Sequence, residues 1–309
     1  FRIPEIYSQI IKKTFTFAVK VFFINITMTT QQIIKNMTYA VAGIFLSFAM
    51  TGCYGKKAET TDSFVTLEAQ FSNPPSEFRT APFMVWNGKV TETEIDRMLK
   101  EFKDAGCGGT FIHPRPGMIT EYMSDEWYSL YRHAVNKGKE MGMNIWIYDE
   151  NSYPSGFAGG HVPEEMPESY NQGQGLALTK TELLPDKTDE YFIILKKEGD
   201  KWTDISQNPD KYKSNKGEYY LYKKTYLGKS DWYGGYSYVD LLVPGVTDKF
   251  LETTMKGYEK TIKNEFGTAV LGIFTDEPNI SSPGGLRWTP DLFEVFQKRW
   301  GYDLKPLIP

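Results

Sequence analysis

The chain has 309 residues, 40% of them hydrophobic and 15% aromatic, enough for a sizeable core in one or two domains. A formal charge of −4 with no basic stripe argues against nucleic acid as a partner. Two cysteines, Cys53 and Cys107, supply neither a disulfide framework nor a cluster of zinc-ligand spacing.

The front of the chain reads as an address. Residues 1–27 precede Met28 and are taken as upstream translation with no fold. Residues 1–52 carry a surplus of four positive charges, which leaves −8 for residues 53–309. Lys35 precedes a thirteen-residue apolar stretch, Thr38 to Met50, followed by Thr51, Gly52 and Cys53. That layout is a signal peptide over residues 28–53, too short for a comfortable membrane span. Its Gly52-Cys53 ending resembles a bacterial lipoprotein signal. The resemblance implies lipidation at Cys53 and export, with anchoring to the outer membrane or the periplasmic face. Residues 54–78 are polar and read as a tether.

From residue 79 strands and helices alternate. Residues 79–88 form a short strand. Thr91-x-x-Glu94 is a capping box, and Ile95, Met98, Leu99 and Phe102 follow at helical spacing until Gly106. Residues 109–113 are a second strand. Ser124 caps a second helix, with Asp125 and Glu126 in its first turn and Trp127, Leu130, Tyr131, Ala134 and Val135 on its apolar face. Residues 143–148 are a third strand. Residues 172–226 break the rhythm with short β-like runs, an inserted β-rich segment. The rhythm resumes with a strand at 238–243, a helix at 247–266 and a strand at 270–274. Thr289-Pro290 then opens a last helix.

This alternation predicts an α/β fold with a parallel sheet. A (β/α)₈ barrel needs about 250 residues before insertions, and about 230 remain after the tether. The expectation is therefore an incomplete (β/α)₈ TIM-type barrel over 79–309, with a β-rich insertion after the third strand. A small doubly wound sheet is the alternative.

Residues able to do chemistry collect where the strands end: Trp86-Asn87, His113-Pro114-Arg115, Asp149-Glu150-Asn151 and Asp276-Glu277. In a parallel barrel these positions share one rim. Carboxylates there, in an aromatic-rich chain, suggest glycosidic bond hydrolysis, which needs one carboxylic acid and one carboxylate. Hydrolase elbows, phosphate loops and dinucleotide fingerprints do not occur. His133 reads as a helix-surface residue, and Cys107 as a small buried one.

Four segments resemble glycoside hydrolase family 106, bacterial α-L-rhamnosidases used on plant polysaccharides. They are Pro82 to Gly88, Gly108 to Gly117, Trp146 to Asn151 with Tyr153 to Gly160, and Phe274 to Pro278. The resemblance spans residues 79–309. It implies a longer protein with a (β/α)₈ barrel, an inverting carboxylate mechanism, an oligo- or polysaccharide substrate and a calcium-dependent site. It implies Glu277 as a catalytic carboxylate and Glu150 as a second candidate, with Asp149 and Glu150 also able to contact metal. Trp86, Asn87, His113, Arg115, Asp149 and Asp276 are the expected substrate contacts. The inverting partner of Glu277 is expected on another strand, and a position beyond Pro309 remains open for it. A piece with an open barrel is expected to be inactive by itself. The rival readings are a non-catalytic glycan-binding surface lipoprotein and a glycosidase of different sugar specificity.

Overall fold

The computed structural model describes residues 64–309, so the expected signal segment and Cys53 lie outside the described residues. Leu67 to Pro309 form one compact unit. The expected tether is not wholly irregular, because helix α1 occupies Phe64–Ser72. Among the described residues, no helix is long and apolar enough to cross a membrane.

Strand β1 (Phe83–Trp86) leads into helix α2 (Glu92–Asp104), whose N-cap Thr91 accepts the Glu94 amide at 3.2 Å. Strand β2 (Gly109–Pro114) leads into helix α3 (Asp125–Glu140), capped by Ser124, which accepts the Trp127 amide at 3.1 Å. Strand β3 (Asn144–Tyr148) ends the regular repeat. Both helices start where a side-chain oxygen satisfies an amide that the helix leaves open.

After the short helix α4 (His161–Glu165) come strands β4 (Gly175–Thr181), β5 (Ile193–Glu198), β6 (Lys201–Asp204) and β7 (Tyr219–Thr225). Helix α5 (Val246–Ile262), strand β8 (Ile273–Phe274), strand β9 (Leu286–Arg287) and helix α6 (Leu292–Trp300) follow. The expected β-rich insertion is thus an antiparallel sheet in the order β6-β5-β7-β4-β9, and it recruits β9 from well beyond residue 226.

The first sheet is parallel, in the order β1-β2-β3-β8, so four strands are present where five were expected. Residues 238–243 are not a strand. Asp240 sits in a turn there: its side chain accepts the Leu242 amide at 2.9 Å and pairs with Arg287, and the Val243 amide reaches the Asp240 carbonyl at 3.0 Å. A buried carboxylate that needs those donors overrides the local apolar run.

The two faces of the parallel sheet differ. Met84, Trp86, Ile112, Ile145 and Ile147 form one core with Leu99, Trp127, Tyr131 and Tyr258 from α2, α3 and α5. Trp86 meets Trp127 edge to face at 5.0 Å, and truncating a ring buried like Trp127 costs about 3–5 kcal/mol. The opposite face carries Phe83 and Val85, which are 40% and 43% exposed. Phe83 packs there against Phe111, Tyr148 and Phe274 with ring centroids 5.2–5.8 Å apart. Among the described residues helices cover one face of this sheet, whereas a doubly wound sheet is covered on both. No closed barrel forms among the described residues.

Candidate active site at the strand-end rim

Parallel pairing brings the four strand exits to one edge, and hydrogen bonds continue past the strands to hold them there. The Arg115 amide donates to the Trp86 carbonyl at 3.0 Å, the Ser152 amide to Pro114 at 3.1 Å and the Asp149 amide to Phe274 at 3.1 Å. The expected site residues of β1, β2, β3 and β8 therefore share a rim.

Asp149 is 3% exposed, and each of its oxygens accepts a hydroxyl. Ser155 Oγ donates to Oδ1 and Thr275 Oγ1 to Oδ2, each at 2.6 Å. Burial pushes the Asp149 carboxyl up to about 6, against the pull of those two hydroxyls. Ser155 also binds Asp276 through its backbone: its amide donates to the Asp276 carbonyl at 2.7 Å, and its Oγ accepts the Asp276 amide at 2.8 Å. The Asp276 side chain is half-buried, and the Tyr148 hydroxyl meets its Oδ2 at 2.6 Å. Burial, and after it Asp276, drive the Tyr148 phenol well above its usual range, so it stays a donor.

Glu150 departs from the catalytic role expected of it. Its side chain has no exposed surface. Oε1 accepts the amides of Asn151 and Gly159, and Oε2 those of Gly156, Phe157 and Ala158, at 2.6–3.1 Å. Burial pushes this carboxyl up to about 8, against the pull of the Asn151, Ala158 and Gly159 amides. A protonated carboxyl would need an acceptor for its own hydrogen, and both oxygens face donors only, so the loop holds the ionised form. Successive amides around a carboxylate make an anion nest. They fix a loop in which Ser152 and Ala158 take φ of 86° and 51°, values that side chains other than glycine resist. Neither oxygen remains for a substrate.

His113 is buried, and its Nε2 accepts from Arg115 Nε at 2.6 Å. Burial, and then the Arg115 charge, lower its pKa to about 4, which keeps the ring neutral as that bond requires. The Arg115 guanidinium lies 5.4 Å from the Tyr153 ring centroid and 6.0 Å from that of Trp232. Those two rings meet edge to face at 5.4 Å, and Trp232 Nε1 donates to the Tyr153 carbonyl at 2.5 Å.

Trp86, expected as a substrate contact, is 1% exposed and points into the helix-covered core. It shares that side with Met84, two residues earlier, as strand alternation demands. Asn87 is exposed at the rim. Glu277 is exposed as well and makes no hydrogen bond or ion pair among the described residues, on a backbone with φ of 43°. His133 is a helix-pair residue as expected, with Nε2 2.8 Å from Asp96 Oδ1.

The sequence reading missed Tyr148, Ser155, Thr275, Trp232 and Tyr238 as parts of this rim. Tyr148 and Ser155 stood inside motifs already singled out, whereas Trp232 and Tyr238 arrive from some eighty residues downstream of the loop they touch. Among the described residues no group of three or more His, Cys, Asp or Glu side chains could hold a metal ion. Asp149 and Glu150 as placed have every oxygen hydrogen-bonded and do not fit a calcium site.

No family model matches the chain, and no curated protein matches it. Among solved structures it is similar to one titled "Structure of Rhamnosidase from Novosphingobium sp. PP1Y", at 24% identity and a TM-score of 0.30. The alignment covers 41% of this chain and 12% of that one. A TM-score that low assigns neither a fold nor an activity.

Proposed function

We propose that this rim is the reacting end of a glycoside hydrolase site, on a parallel sheet that forms part of a (β/α)₈ barrel. The observation that carries the reading is the pair at the exit of β8. Glu277 is an exposed carboxylate on strained backbone, without a partner among the described residues, and next to it Asp276 is oriented by Tyr148. Strained residues at a strand-end rim are where barrel enzymes keep their chemistry. Glu277 is the acid that protonates the departing glycosidic oxygen. The base that takes a proton from the attacking water lies on another strand, as an inverting pair requires, and Glu150, with both oxygens spent on backbone amides, is not that base. The sugar rests beside Asn87 and Arg115, while His113, buried and bonded to Arg115, serves the site only by holding that side chain. No step runs through calcium.

The finer reading is hydrolysis of α-L-rhamnosides with inversion, and what supports it is the resemblance of the four strand-end motifs to family 106. With it go a polysaccharide substrate and a lipid anchor at Cys53. The test is turnover by the native gene product of two aryl α-L-rhamnosides, one with an activated leaving group and one without. Glu277→Gln should abolish turnover of the unactivated substrate and spare much of the activated one, because only the first needs an acid. Equal loss on both substrates removes Glu277 from the acid role. Glycan binding without any turnover by the wild type makes the site a binding one.

A further inference from the structure

We propose that Arg115 is the receptor for a carboxylate on the glycan, so that this rim binds a uronic acid residue. The inference rests on the reading of the rim as a sugar site and names the class of sugar. A guanidinium offers two edges to a carboxylate: the side edge, through Nε and one terminal nitrogen, and the end, through both terminal nitrogens. In this protein Nε is committed to His113 Nε2 at 2.6 Å, so the side edge is taken. The terminal nitrogens have no hydrogen-bond or ion-pair partner among the described residues, and none of the carboxylates described there neutralises the group. The free end is therefore a two-donor fork aimed by a fixed bond.

Three further features hold the fork still. Pro114 and Pro116 flank Arg115 and restrict its backbone, and its amide is bonded to the Trp86 carbonyl. The guanidinium lies against the Tyr153 and Trp232 rings, which brace each other through the Trp232 Nε1 bond to Tyr153. Tyr153 remains 37% exposed, enough for a pyranose ring to stack beside the cation. Neutral sugar hydroxyls need no such charge. A planar, pre-aimed guanidinium discriminates for a planar anion, and its fixed rotamer lowers the ordering cost of binding. Asp276 is the acid that acts on this cluster, and Tyr148 turns its Oδ2 away into a hydrogen bond.

The experiment compares three ligands on the full chain by calorimetry or ligand-observed NMR. They are methyl α-D-galactopyranosiduronic acid in its ionised form, its methyl ester, and methyl α-D-galactopyranoside. The ionised uronide should bind at least about tenfold more tightly than either neutral ligand, as bonds to a charged acceptor exceed neutral ones. Arg115→Gln should erase that preference, and Arg115→Lys should restore only part of it, since an ammonium cannot form the fork. Equal affinity for the three ligands, no binding of any, or a preference that survives Arg115→Gln overturns the proposal. The ester comparison needs no variant and stands even if Arg115→Gln fails to fold. A uronide preference in a protein that hydrolyses nothing would keep Arg115 as the receptor and sink the hydrolase. Turnover of neutral glycosides without the preference would do the reverse.

Discussion

The Tyr238 hydroxyl donates to the Ser155 carbonyl at 2.7 Å and accepts the Asn279 amide at 3.1 Å. It therefore ties the loop after β3 to the segment that follows Glu277-Pro278. Gln174 Nε2 holds the Tyr238 carbonyl at 2.8 Å, which anchors the tyrosine to the antiparallel sheet.

Tyr238→Phe should lower stability by about 1–2 kcal/mol, since it strands a buried carbonyl and an amide. In the hydrolase reading it should also lower kcat more than KM, because it loosens the carboxylates and leaves the Arg115 end alone. Steady-state kinetics with a urea melt would check this. An unchanged kcat would detach Tyr238 from the site.

Glu150→Gln should destabilise the protein by about 3–5 kcal/mol, because an amide NH₂ would confront backbone donors that the carboxylate satisfies. Hydrogen exchange at Gly156 to Gly159 should speed up by several orders of magnitude. A residue engaged only in catalysis would leave both readings where they are, so wild-type stability in this variant would return Glu150 to the catalytic list.

Glu277→Gly should do the opposite. The left-handed backbone at φ 43° costs a side chain about 1 kcal/mol that glycine does not incur, and Glu277 has no partner among the described residues to lose. Chemical denaturation should show a variant as stable as the wild type or slightly more so, with turnover of the unactivated aryl rhamnoside lost. A marked loss of stability would mean that Glu277 supports the fold.

The pH dependence of stability should carry the mark of Asp149. Its carboxyl is held at about 6 in the folded protein against an ordinary 3.8, so the folded state binds this proton more tightly than the unfolded chain does. The contribution is fully present below pH 3.8 and is lost as pH rises to 6. By pH 7 it has removed about 3 kcal/mol. Denaturation midpoints for the wild type and Asp149→Asn across pH 4–7 should differ in slope, with the variant flatter. Parallel curves would show that Asp149 does not titrate in that window.

What the sequence made legible was local. Thr91 and Ser124 announce their helices because a cap and the amide it accepts lie three residues apart. The strand exits could be placed because each apolar run stops at polar residues. Trp86 was misassigned although the alternation of Phe83 and Val85 against Met84 and Trp86 already put it on the buried side. The turn at Asp240 could not be read, because its partner Arg287 lies on β9 in another part of the chain. Glu150 was misread for a different reason: its donors are near in sequence, and only the loop's fold turns their amides inward.

The double attachment of Ser155, by side chain to Asp149 and by backbone to Asp276, leaves Tyr153 and Trp232 outside the chain of bonds that aligns the acids. Those two rings are therefore free to diverge. In the hydrolase reading, exchanging those two rings for other side chains would alter which glycan is admitted while the acids keep their alignment, the kind of separation that lets one scaffold spread across many substrates.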